Sequence, residues 1–151
     1  MTPRRWVRIA IAISLGAALA TLPALPAVGQ EVFATVEIGD TATQAGPDAG
    51  LLVTVTVTCP VDSLGNTFLH LFVDQTRGRK GRAFGFGSVS NFDCTGEPQE
   101  IIVSVTASVG PFRPGTASAQ AELFVCAHDQ CTMATDAEEI TVVRLDTEAA
   151  A

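Results

Sequence analysis

The stretch Leu51–Cys59, Leu-Leu-Val-Thr-Val-Thr-Val-Thr-Cys, leaves the chain few ways to fold. From Val53 onward it alternates strictly, with Val53, Val55, Val57 and Cys59 on one side and Thr54, Thr56 and Thr58 on the other. Successive side chains of a strand leave opposite faces of the pleat, so this alternation of β-branched residues specifies a strand with one buried face. The cysteine lies on that face. Pro60 has no N–H to give to a ladder and ends the strand. Glu100–Val109 repeats the pattern, setting Ile101, Val103, Val105, Ala107 and Val109 against Ser104, Thr106 and Ser108.

Five more segments of this kind complete the set. Val32–Ile38 is the first strand, and the two alternating stretches are the second and fifth. Thr67–Asp74, the third, is apolar on both faces (Leu69, Leu71 and Val73 against Phe68, His70 and Phe72), which predicts a central strand covered on two sides. Arg82–Val89 is the fourth, weakened by Gly85 and Gly87. Ala117–Cys126, the sixth, has a small inner face of Ala117, Ala119, Ala121, Leu123 and Val125, with Cys126 on the opposite face beside Phe124. A polar linker then leads to Glu139–Leu145, the seventh. Turn signals at Gly46-Pro47-Asp48, Asp62–Asn66 and Pro114-Gly115 punctuate the series. The pattern predicts an all-β, antiparallel, immunoglobulin-like β-sandwich of about seven strands with two disulfides. The expectation concerns architecture only. The single Trp, Trp6, precedes the strands, and there is no Tyr for a tyrosine corner.

The beginning of the chain reads as a leader. Arg4, Arg5 and Arg8 form a positive segment, Ile9–Leu22 is uncharged and apolar, and Ala27-Val28-Gly29 offers small residues for cleavage after Pro23 and Pro26. That is the pattern of a secretory signal peptide over residues 1–29, leaving one domain over 30–151; an uncleaved membrane anchor is the competing reading. With cleavage, six basic and sixteen acidic groups remain, a formal charge of −10. Such a surface disfavours nucleic acid and anionic membrane. Extracellular release is the expected location, with no membrane span once the leader is removed.

Four cysteines (Cys59, Cys94, Cys126, Cys131) in an exported chain imply two disulfides. In a sandwich of this kind the second and fifth strands are neighbours, which brings Cys59 towards Cys94 and favours pairing them, with Cys126 joined to Cys131. The competing pairing is Cys59 with Cys126, disfavoured because Cys126 points away from the alanine face.

Little in the chain suggests chemistry. The Cys126-Ala-His-Asp-Gln-Cys131 loop has the wrong spacing for zinc, and a disulfide there removes the thiolates a metal needs, so no metal and no cofactor is expected. His70 and His128 are the only imidazoles, and His70 lies within a strand; no nucleophile elbow, phosphate loop or zincin motif is present, so an enzyme is not expected. The candidate site is instead the tip Gln75–Ser88, where Arg77, Arg79, Lys80 and Arg82 bring four positive charges into six positions. Such a cluster could dock phosphate or carboxylate polymers, with Phe84 and Phe86 adding flat apolar contact.

The leader, Val-Thr-Val-Thr-Cys59-Pro60, Cys94-Thr95-Gly96, Phe112-Arg113-Pro114-Gly115 before an alternating Ala strand, and the Cys126–Cys131 loop together resemble a group of small secreted actinobacterial proteins of unknown function. The acidic composition, seven strands and late Cys-x4-Cys loop are also similar to the neocarzinostatin family of chromophore-carrying apoproteins. That family's first bridge closes a short loop, whereas Cys59 and Cys94 are 35 positions apart. The functional expectation is a secreted, non-catalytic binding or interaction module. Its expected partner is an anionic cell-envelope polymer or another secreted protein; the second resemblance implies a small-molecule carrier as the alternative.

Overall fold

A computed structural model describes residues 33–44, 46, 50–61, 63, 66–78, 81–127 and 129–145. The leader expected over 1–29 lies outside them. Seven strands follow in chain order: β1 Thr35–Gln44, β2 Leu51–Thr58, β3 Thr67–Thr76, β4 Arg82–Ser90, β5 Gln99–Val109, β6 Gly115–Ala127 and β7 Gln130–Arg144. The alternation in Leu51–Cys59 is realised as expected, with Val53, Val55 and Val57 fully buried and the threonines half-exposed.

The strands join in the order β1-β2-β5-β4-β3-β6-β7, and β1 returns to β7. The all-β, seven-stranded expectation is met, and the strands close into a ring rather than standing as two separate sheets. Two local devices close it. A register shift between Ile38 and Ala42 frees the second half of β1, while it stays beside β2, to pair in parallel with Thr141–Arg144 of β7. At the other seam, β4 meets β5 over a short irregular ladder, Phe84 to Val109, Gly85 to Ala107 and Phe86 to Thr106. Gly85 and Gly87 face inwards at this seam. A Cβ on Gly87 would stand 2.5 Å from the Ser104 carbonyl oxygen, and one on Gly85 would meet both the Thr106 oxygen and the Phe112 ring. The glycines read from the sequence as weak points are what let two backbones approach closely enough to pair.

Inside the ring lie Val36 and Ile38 from β1, the β2 valines, Leu69, Leu71 and Val73, Val103 and Val105, the β6 alanines with Leu123 and Val125, and Ile140 and Val142. Phe112, on the β5–β6 connection, plugs one end and is completely buried. Two buried glutamines hold that connection. Gln44 Nε2 donates to the Phe112 carbonyl at 3.0 Å, while Gln75 donates to Arg113 O at 2.8 Å and accepts from Arg113 N at 3.0 Å.

Cys59 is bonded to Cys94 with Cα atoms 5.3 Å apart, and Cys126 to Cys131 with Cα atoms 4.0 Å apart. The second and fifth strands are antiparallel neighbours, the relation that favoured the first pairing. The second bridge joins directly opposed residues of the β6–β7 hairpin. The polar linker expected before residue 139 is also corrected. Gln130–Glu138 is strand, paired along its length with β6 but largely exposed, so it carries no core periodicity for a sequence reading to find.

Candidate functional site

Two of the four basic residues of the tip, Arg77 and Arg82, make contacts within the domain. Arg82 Nε donates to Asp74 Oδ2 at 2.7 Å and its Nη2 bonds the same oxygen, while the guanidinium lies 5.9 Å over the Phe84 ring. Arg77 Nη2 donates to the Pro111 carbonyl at 2.8 Å. Each guanidinium is thus tied to a neighbouring part of the chain, with the Arg82 side chain still 63% exposed. Arg79 and Lys80 lie outside the described residues. The hydrogen bonds that Asp74 accepts from Arg82, and then the charge of that guanidinium, hold its carboxyl below the usual range; the same contacts raise Arg82. Beside this pair is an open depression of about 620 Å³ lined by Asp74, Thr76, Arg82, Thr116, Ser118 and Glu139, mixed in charge rather than basic.

The Cys126–Cys131 loop keeps both sulfurs in its bridge, so it has no thiolate for a metal. His128 lies outside the described residues, and Asp129 is exposed. His70 is half-buried with its ring edge-on to Phe86, centroids 5.6 Å apart.

What the strands bring together instead is an aromatic face. β3 sits between β4 and β6, and its inner residues Leu69, Leu71 and Val73 are completely buried, as a core strand requires. Of its outer residues, Phe68 and Thr76 are exposed while His70, Phe72 and Asp74 are half-buried. Phe68 is 41% exposed, which corrects the expectation of a strand covered on two sides. Strand register sets the outer residues in rows across β4, β3, β6 and β7. One row is Phe86, Phe72, Gln120 and Ala137; the next is Ser88, His70, Glu122 and Thr135; the third is Ser90, Phe68, Phe124 and Met133. Phe72 and Phe86 have centroids 5.2 Å apart, and Phe68 and Phe124 6.5 Å, both pairs tilted. Phe86, Phe124 and Met133 are 39, 41 and 64% exposed. A shallow depression of about 270 Å³ lies next to the first row, between Phe72 and Phe84.

The sequence contained the signal for this face. On β2 and β5 the outward positions are mostly Thr and Ser, whereas on β3, β4 and β6 Phe68, Phe72, Phe84, Phe86 and Phe124 share the outward parity. An outward Phe can mean a second covering layer or a surface meant for something else. Only the architecture distinguishes them.

Compared with known proteins, the chain matches no family model and no curated protein. Among solved structures it is similar to AggA, the major subunit of the aggregative adherence fimbriae type I of Escherichia coli, at 11% identity and a TM-score of 0.40, covering 76% of this chain and 96% of that one. It is also similar to the CooA pilin subunit of enterotoxigenic Escherichia coli at 9% identity and a TM-score of 0.39, over 74% and 98% of the two chains. The sporulation control protein Spo0M of Bacillus subtilis matches at 15% identity and 0.37, over 72% and 49%. Likeness at this level assigns neither a family nor a partner.

Proposed function

We propose that the protein is a non-catalytic binding module that works outside the cell and engages its partner through the outer face of β4, β3 and β6. One observation carries the reading: large aromatic side chains lie exposed side by side on one face of a domain whose interior is already filled by other residues. Exposed apolar side chains scattered singly need no explanation, but a contiguous aromatic patch marks an interaction surface. Phe68, Phe124 and Met133 form one continuous row of it, with Phe72 and Phe86 in a second row. The two disulfides fit an oxidising compartment.

The test compares the native protein with a Phe68→Ser, Phe86→Ser, Phe124→Ser variant for retention of components of the producing culture, with thermal melting as the folding control. The variant should melt normally and lose the native protein's partner. Equal retention would remove the aromatic face as the binding surface. The depression between Phe72 and Phe84 favours one second reading, a carrier of a small aromatic molecule. Under that reading, native protein extracted with organic solvent would yield an absorbing compound, and a colourless extract argues against it.

A further inference from the structure

The molecule already shows how this face holds a guanidinium. Arg82 is gripped by a carboxylate and a ring together, bonded to Asp74 Oδ2 and lying over Phe84. One carboxylate further along the same surface has no such partner. Glu122 is half-buried in the middle row, with Phe72 and Phe86 in the row on one side and Phe68, Phe124 and Met133 in the row on the other. Its Oε1 is 3.4 Å from Gln120 Nε2, a long hydrogen bond, and among the described residues no cation forms an ion pair with it. None of the three rows contains a Lys or Arg. The chain as a whole carries a formal charge of −7, so a positively charged partner is electrostatically favoured.

Resting on the aromatic face as the binding surface, we propose that Glu122 anchors an arginine side chain of an extended partner peptide that lays apolar residues two positions before and after that arginine onto the two aromatic rows. The spacing sets the pattern. Outer rows of a sheet are about 6.6 Å apart, the distance between residues i and i+2 of an extended chain. A peptide running along β6 therefore presents every second side chain to successive rows, in the order apolar, arginine, apolar. Arginine fits better than lysine because its planar fork bonds a carboxylate while its face lies against a ring, as Arg82 does. The rows span four strands, so the footprint exceeds what a single free side chain covers.

The probe is the peptide acetyl-Thr-Leu-Thr-Arg-Thr-Leu-Thr-amide, titrated into isotope-labelled protein at pH 8 and followed by amide and side-chain chemical shifts. Matched peptides carry citrulline, lysine or glutamate in place of the arginine. The arginine peptide should bind and shift the resonances of Gln120, Glu122 and Phe124. Citrulline in the peptide, or Glu122→Gln in the protein, should each weaken binding about tenfold, as expected for loss of one charge-assisted contact. Lysine should bind more weakly than arginine, and glutamate least. Equal binding to native protein and Glu122→Gln would overturn the anchor. No binding of any peptide, with the Phe68, Phe86, Phe124 variant still losing its culture partner, overturns the arginine ligand and leaves the face intact. If that variant retains its culture partner, the binding surface itself falls.

Discussion

At the scale of single residues, the positions that matter most are those where a side chain is absent or an amide is buried. Gly87→Ala would set a methyl group 2.5 Å from the Ser104 carbonyl oxygen, so β4 must move away from β5. Overpacking of this kind costs about 1–3 kcal/mol, and urea denaturation should show the midpoint fall by a matching amount. Gln75→Met should do comparable damage by a different route. The thioether keeps the volume but leaves Arg113 N–H and the Arg113 carbonyl without their partner, a loss of about 1–3 kcal/mol. Asp74 gives a pH signature. Its folded carboxyl titrates below the unfolded value of ~3.9, so its contribution is complete above that value and is lost as pH falls through the lower folded one. Native protein should lose a small part of its stability over that window, and Asp74→Asn should not. A carboxyl-detected titration would check the sign, and an Asp74 titration at or above ~3.9 would contradict it. None of these roles was legible beforehand. Gly85 and Gly87 read as strand breakers because nothing in the chain says which backbone lies opposite, and a buried glutamine looks like any surface glutamine.

At the scale of elements, legibility followed the contrast between faces. β2 and β5 bury one face and expose the other, so Val against Thr and Ile against Ser revealed both strands within a residue or so. β3 is equally legible in position, but its outer aromatics read in the sequence as a second buried face. The first part of β7 leaves no signal in the sequence, since strand pairing with β6 and the Cys126–Cys131 bridge hold it in place without burial. The bridges differ in what they contribute. Chain entropy assigns about 3.8 kcal/mol to a 35-residue loop and about 2 kcal/mol to a 5-residue one. Replacing Cys59 and Cys94 together by Ala should therefore destabilise the protein more than replacing Cys126 and Cys131. Chemical denaturation of the two double variants gives the ranking, and the reverse order would show that the long loop is already restrained in the unfolded chain.

At the scale of the whole molecule, the core and the proposed binding surface are built from opposite faces of the same strands. Leu69, Leu71 and Val73 close the interior while Phe68, His70 and Phe72 look out. Changing the outer aromatics should leave folding nearly untouched, so the Phe68→Ser, Phe86→Ser, Phe124→Ser variant should melt within a few degrees of the native protein. A large drop would mean that the face is a structural layer. The closure of the ring has a mechanical consequence. β1 and β7 run parallel, joined through Thr41–Gln44 and Thr141–Arg144, and Leu145 N donates to Gln44 O at 2.9 Å. Tension applied between the start of β1 and the end of β7 drags the two strands past each other lengthwise. Their hydrogen bonds then bear the load together rather than parting one at a time. Neither disulfide joins β1 to β7, so the resistance of the domain to stretching rests on this short parallel seam and on the ladder between β1 and β2.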